Sequence, residues 1–364
     1  MNKKVSFFIG RLGGGGAHGV CITIANGLAD KVQDIDIVVL RKKNGIRTEK
    51  LSDKVHLVDL QKKHARSSVF SIWRYLACYK PDVVLSFNRQ LSVIIGIIRY
   101  ISRINFKLIS RNIIFLSIAE KQKRKLGIWH GTISNIFIKK FYKLSDLFIA
   151  QCYAMKEDLS VYLRINPQRI IVIHNPVNKN IENYIKNVSA ADYKKDYLLC
   201  AGRLESQKAF HYVIEAFVRI SDNYPNLRLK ILGQGSLEAQ LKQLANNMDI
   251  VDKVDFEGYQ EDIIPYYVQA RLTVLTSLFE GFPNVLIESI ALGTPVVSFD
   301  CPSGPSEIIQ DGVNGYLVKY QDMEHLIECL RHALDREWDA KTVMATADRF
   351  SSEKIIDEYE KVLT

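Results

Sequence analysis

The side chains able to do chemistry fall into a few short segments. In Thr276-Ser-Leu-Phe-Glu280-Gly281-Phe282-Pro283-Asn284-Val285-Leu-Ile-Glu288, two carboxylates stand with seven residues between them. Glu280 precedes a turn holding Gly281 and Pro283, and Glu288 falls in the helix that begins near Asn284. One carboxylate in a loop and one on a helix can face the same cleft and accept hydrogen bonds from hydroxyl groups. The plain alternative is a helix-start carboxylate followed by a solvated helical Glu. Upstream, Cys200-Ala-Gly202-Arg203-Leu-Glu-Ser-Gln-Lys208 reads as a strand end running into a loop. Arg offers planar, multidentate contacts and Lys a compact charge, so this pair at the carboxyl end of a strand suits a diphosphate. Two solvated surface cations are the alternative.

Two glycine-rich turns accompany these groups. Gly10-Arg-Leu-Gly-Gly-Gly15-Gly16-Ala follows the first apolar run. Four consecutive glycines let a backbone approach a ligand closely, and the helix after them points its amino terminus at any anion held there. It is not a G-x-G-x-x-G fingerprint with an acidic residue ending the second strand, which disfavours NAD; a merely flexible turn is the other reading. Ile231-Leu-Gly233-Gln-Gly235 is a second strand-to-glycine turn, against which a flat base can stack.

The elements that must carry these groups alternate. Short buried-type runs at 5–9, 36–40, 55–57, 83–86, 107–110, 147–150 and 170–173 are separated in several places by helix-length segments. After a polar stretch at 179–196, read as a linker, the rhythm restarts at 198–201, 227–232, 254–256, 272–275, 296–298 and 316–318. The sequence therefore predicts α/β architecture, two Rossmann-like doubly wound domains at 1–178 and 197–364. A closing helical segment, 338–363, is expected to pack back on the first domain.

At 364 residues, with 47% hydrophobic and 24% charged residues, the chain has the composition of an ordinary two-domain globular protein. Six scattered cysteines with no C-x-x-C pair argue against a zinc ribbon, a redox motif or a disulfide scaffold. No run reaches the ~18 apolar residues of a membrane span, and the first residues read as a strand rather than a leader. The triplet Asp34-Ile-Asp36 leads into a strand rather than a site loop, so no metal is expected.

The net charge of +9 hides an asymmetry: residues 1–180 carry +20 and residues 181–364 carry −11. The basic half is expected to face an anionic partner. Residues 119–144 join a cationic cluster (Lys121, Lys123, Arg124, Lys125) to a helical apolar pattern, fit either to lie on an anionic bilayer or to pack in a core. A second cationic stretch, 61–66, precedes Phe70, Trp73 and Tyr75. Nucleic acid is not expected, since no RRM, KH, zinc-finger or helix-turn-helix signature is present.

The ordered motifs GGGGAHGV, HNPV, GRLESQKAF, ILGQG, SLFEGFPNVLIESIALGTPVVSFDCPSGPSEII and DGVNGYLV resemble family 4 glycosyltransferases of the GT-B fold, most specifically between Gly202 and Val318. The Asp300 to Glu307 segment looks most like bacterial enzymes of surface-polysaccharide and lipid-linked glycan assembly. The resemblance implies two domains facing a central cleft and retaining transfer of a hexose or N-acetylhexosamine from a nucleotide-diphosphate sugar, with a UDP-sugar favoured. It needs no cofactor beyond the sugar nucleotide itself. By similarity, Arg203 and Lys208 bind the diphosphate, Glu280 contacts the donor sugar, and Glu288 holds the ribose. Gly15 and Gly16 close over the diphosphate, while Gly202, Gly233, Gly281, Phe282, Pro283, Asn284 and Val285 line the donor site.

The acceptor side departs from the family pattern. His18 and Gly19 stand where many relatives have an acidic residue and an Arg, and Ser110-Arg111-Asn112 stands where many have a His. The acceptor contacts are accordingly sought among His18, Arg111, Asn112 and His130. A lipid-diphosphate-linked glycan as acceptor suits the basic half, with the protein peripheral on the cytoplasmic face of the inner membrane. A nucleotide-sugar epimerase and a non-catalytic partner subunit are the other readings of the same motifs.

Overall fold

The computed structural model describes residues 3–12, 16–42, 51–118, 139–187 and 194–363. The chain divides into two compact units, Met1–Pro176 with Ser352–Thr364, and Val177–Ser351.

The first unit is built on a seven-stranded parallel sheet: β1 (Lys4–Ile9), β2 (Asp34–Val39), β3 (Val55–Asp59), β4 (Val83–Ser86), β5 (Lys107–Arg111), β6 (Leu147–Ala150) and β7 (Ile170–Val172). The spatial order is β3-β2-β1-β4-β5-β6-β7. The strands are short runs of Val, Ile, Leu and Phe because both sheet faces are covered. Phe7 and Phe8, adjacent in β1, project to opposite faces. Phe7 joins the helices Gly16–Leu28 and Ser352–Leu363, whereas Phe8 joins Ile72 and Leu76 of the helix Val69–Tyr79 and Ile95 of the helix Arg89–Ser102. A Cβ at Gly27 would lie 1.9 Å from Ile356 Cδ1, so the missing side chain is what lets the first and last helices approach so closely.

The second unit repeats the plan with six parallel strands: β8 (Tyr197–Ala201), β9 (Arg228–Leu232), β10 (Val254–Gly258), β11 (Leu272–Leu275), β12 (Val296–Phe299) and β13 (Gly315–Val318). Their order is β10-β9-β8-β11-β12-β13. Every expected strand is present, most within two residues of its expected ends.

Two segments differ from the sequence reading. The stretch 179–196 was expected to be a linker between the domains, but Lys179–Asn187 forms a helix of the second unit, and 188–193 lie outside the described residues. The closing stretch 338–363 is not one helix. It breaks into Ala340–Ala345, a 3₁₀ turn at Asp348–Phe350 and Ser352–Leu363, and only the last of these lies in the first unit. Asp339 caps Ala340–Ala345 by accepting from the Lys341 and Thr342 amides, and Phe350 is buried in the turn that follows. Of the basic segment 119–144, residues 119–138 lie outside the described residues. No helix among the described residues is long and apolar enough to cross a membrane.

Candidate active site

In a parallel doubly wound sheet, the carboxyl ends of all strands share one edge, and a crevice opens where the strand order reverses. In the second unit that reversal falls between β8 and β11. The loop after β8 carries Gly202, Arg203 and Lys208, and the loop after β11 carries Glu280. The two segments singled out by residue type are thus brought together by topology.

The two loops are tied to each other by several hydrogen bonds. The Leu278 amide donates to Gln207 O at 2.8 Å, Gln207 Nε2 donates to Phe279 O at 2.9 Å, and Thr276 Oγ1 donates to Ala209 O at 3.1 Å. Held this way, Lys208 Nζ donates to Glu280 Oε1 at 2.6 Å, with the two side chains only 13% and 10% exposed. Arg203 stands exposed on the same loop.

The glycine turn after β9 braces this loop from below. Gly233 has φ +131°, and a Cβ there would lie 1.8 Å from Gly202 O, so only glycine permits the approach. The Gly202 amide donates to Leu232 O at 2.9 Å and the Leu204 amide to Gln234 O at 3.0 Å. Ser236 adds its amide and hydroxyl to the Glu205 carboxylate, which holds that carboxyl below its usual range.

After the Glu280 turn, Asn284 to Ala291 forms a helix that directs its first amides toward the same edge, with Phe282 and Pro283 buried just before it and Val285 in its first turn. A Cβ at Gly304 would fall 2.4 Å from the Phe282 ring, so the loop after β12 packs directly beneath that turn. Glu288, one turn into the helix, is partly buried and accepts from Tyr267 Oη at 3.3 Å. Burial pushes its pKa up to about 7. The buried Cys301 beside Glu280 and Lys208 is pushed up to about 12, chiefly by burial, and stays a thiol. Sequence reasoning missed Gln207, Thr276 and Tyr267. The first two were visible as polar residues beside named site residues; Tyr267, 21 residues before Glu288, carries no local signal.

In the first unit, Gly16 opens the helix Gly16–Leu28 and His18 lies partly buried within it, while Gly15 and His130 lie outside the described residues. Arg111, sought as an acceptor contact, instead points into the core at 1% exposure. Its Nε donates to Tyr359 Oη at 2.7 Å, its Nη2 donates to Asn175 Oδ1 at 2.5 Å, and its guanidinium lies 5.2 Å from the Phe87 ring centre. The reason is that two neutral acceptors and an aromatic face close around it. Asn112, also buried, donates to Ile114 O at 2.8 Å. Asp36 of the D-x-D triplet is buried in β2 and accepts from Tyr75 Oη. Among the described residues, no group of three or more His, Cys, Asp or Glu is placed to hold a metal ion.

Taken together, the second unit offers two cations, two carboxylates and a helix amino terminus along one sheet edge. That set suits a ligand with a diphosphate at one end and hydroxyl groups at the other.

Known proteins resemble this chain in sequence and in fold. The family Glycosyl transferases group 1 matches residues 182–351, and Glycosyltransferase Family 4 matches residues 14–180. An uncharacterized glycosyltransferase of Haemophilus influenzae is 26% identical, covering 99% of this chain and 100% of its own length. A Campylobacter jejuni enzyme is 28% identical over 57% of this chain and 56% of its own. It is the N-acetylgalactosamine-N,N'-diacetylbacillosaminyl-diphospho-undecaprenol 4-alpha-N-acetylgalactosaminyltransferase. Among solved structures, Anabaena HepE in complex with UDP-glucose superposes with a TM-score of 0.78 at 19% identity, covering 100% of this chain and 99% of that one.

Proposed function

The chain being a glycosyltransferase of the GT-B fold, related to the group 1 and family 4 glycosyltransferases, we propose that it moves a hexose or N-acetylhexosamine from a UDP-sugar onto a lipid-linked oligosaccharide. The product serves surface polysaccharide or glycoprotein glycan assembly. The observation that carries this reading is the Lys208–Glu280 pair at the point where the second sheet reverses its strand order.

In this reading the diphosphate takes Lys208 and Arg203 as counter-charges and releases Glu280 to the donor sugar's hydroxyls. Glu288 accepts from the ribose hydroxyls. Charge develops on the departing diphosphate and on an oxocarbenium-like sugar, so leaving-group stabilisation is the largest catalytic contribution. With both site carboxylates assigned to hydroxyl groups, this reading favours same-face displacement with retention over a covalent intermediate: the departing phosphate takes the acceptor hydroxyl's proton as the new glycosidic bond forms. We assign the donor to the second unit and the acceptor to the first. The diphospho-undecaprenol in the Campylobacter enzyme's name and the +20 charge of residues 1–180 both support an acceptor anchored by a lipid diphosphate at the cytoplasmic membrane face.

The test is turnover of the purified protein with a panel of UDP- and GDP-sugars and detergent-dispersed lipid-diphosphate glycans, following nucleotide release and lipid mass. A gain of one sugar, abolished by Arg203→Ala, with the anomeric configuration of the product matching the donor, supports the reading. Interconversion of a free nucleotide sugar without transfer would replace it with an epimerase.

A further inference from the structure

We infer that the carboxyl edge of β1, β2 and β3, with the exposed face of the helix Val69–Tyr79, is a docking surface for an anionic lipid bilayer. The inference rests on the proposed lipid-anchored acceptor and names the surface that meets its membrane.

The three strands are parallel neighbours and their chains continue side by side past the sheet. The Leu40 amide donates to Gly10 O at 3.3 Å, and the Lys62 amide donates to Leu40 O at 2.6 Å. This edge therefore collects Arg11, Arg41, Lys42, Lys62, Lys63 and Arg66, all exposed except the partly exposed Lys62. None of the six makes an ion pair with a described residue. Over the described residues 10–12, 40–42 and 59–68 the one carboxylate is Asp59, which accepts from the Gln61 amide at 2.8 Å. Six uncompensated cations on one edge attract an anionic surface, each adding to adsorption.

The helix that follows supplies the apolar half. Ile72 and Leu76 are fully buried against the sheet, while Val69, Phe70 and Trp73 are 44%, 69% and 39% exposed. Phe70 and Trp73 hold their rings 5.5 Å apart on that outer face, and Arg74 stands exposed beside them. Core packing already uses the inner stripe of this helix, so the outer rings are surplus to folding. From residue 60 to residue 81 the chain has five Lys and Arg and no Asp or Glu. Aromatic rings that lean on each other beside an aliphatic side chain, on the exposed face of a helix flanked by cations without ion pairs to described residues, fit the boundary of headgroups and acyl chains. The two ring centres lie 5.5 Å apart, too close for a base to stack between them, which disfavours nucleic acid. Residues 10–12 leave β1 at the same edge, so a membrane met here lies at the carboxyl ends of the first unit's strands.

The test is flotation of the full chain with vesicles of phosphatidylglycerol and phosphatidylcholine in equal parts, against vesicles of phosphatidylcholine alone. Wild type is expected to float with the anionic vesicles only and to be released by salt. Phe70→Ala with Trp73→Ala is expected to weaken flotation at least tenfold. Lys62→Ala with Lys63→Ala and Arg66→Ala is expected to weaken it on the order of 100-fold. Turnover on a water-soluble acceptor analogue should be unchanged in both variants, since none of these residues is among the donor contacts or the acceptor contacts sought at His18, Arg111, Asn112 and His130. Equal flotation of variants and wild type, or no wild-type flotation, overturns the surface whatever the turnover shows. Binding of an RNA oligonucleotide that the same substitutions abolish, without flotation, also overturns it. Flotation as expected with no sugar transfer from any donor would instead count against the transferase reading alone.

Discussion

Lys208 and Glu280, 72 residues apart in the chain, meet as an ion pair with Nζ 2.6 Å from Oε1. The pairing leaves neither buried charge without a counter-charge. In the proposed function, a diphosphate arriving at this edge would compete for Lys208 and free Glu280 to accept from hydroxyl groups.

Lys208→Ala is therefore expected to lower kcat by about 10²- to 10³-fold, the range for removing one group that stabilises a developing anion. Glu280→Gln should fall in a similar range. Because the two act as a unit, the double variant should lose little more than the worse single one. Steady-state kinetics on the three variants checks this; full additivity would show that the groups act independently.

The glycine bracing of the same loop is open to a stability measurement. Gly233→Ala would place a Cβ 1.8 Å from Gly202 O in a backbone region that alanine rarely adopts, and backbone on both sides cannot yield. A loss of about 3 kcal/mol or more is expected in denaturant unfolding. Gly258→Ala is the control: its φ is +68° but the space around it is open, so only the left-handed backbone cost of about 1–2 kcal/mol applies.

What was legible in the sequence follows the same physics. Parallel strands buried on both faces are compact apolar runs, so 83–86, 147–150 and 272–275 were readable to the residue. That Lys208 and Glu280 would sit on one sheet edge was readable because each lies in the loop that follows such a run, and the carboxyl ends of parallel strands share an edge. The helix Lys179–Asn187 was not, because Ile181 is its single buried residue and its other apolar residues are too few to give a sustained period. Arg111 was misplaced for a related reason. Its acceptors lie 64 and 248 residues away, at Asn175 and Tyr359, and no local spacing reports them.

That buried guanidinium gives the next expectation. Arg111 has no carboxylate among its hydrogen-bond partners, and Tyr359 reaches it from the last helix. Tyr359→Phe keeps the ring packing and removes only the acceptor, leaving Nε buried and unpaired, at a cost of about 1.5–3 kcal/mol. Arg111→Lys should cost at least as much, since one ammonium cannot reproduce the fork that reaches both Tyr359 and Asn175. Thermal unfolding should register both. Amide exchange should quicken in Ser352–Leu363, where a role confined to acceptor binding would leave the helix unaffected.

Glu288 yields a pH dependence with a definite sign. Burial raises its pKa from the ordinary 4.5 to about 7, so the folded protein holds this proton more tightly than the unfolded chain does. Below about pH 4.5 the group is protonated in both states and imposes no penalty. As pH rises toward 7 the unfolded chain ionises first, and the fold loses up to roughly 3 kcal/mol from this group. Donor binding should run the opposite way. A carboxylate accepting from two hydroxyl groups must be ionised, so UDP affinity should fall about tenfold per pH unit below 7, with proton release on binding. Titration calorimetry in buffers of different ionisation enthalpy reads that proton. Glu288→Gln should bind UDP more weakly at pH 8, flatten the pH profile and abolish the release. An unchanged profile in that variant would place the titrating group elsewhere and remove Glu288 from the ribose site.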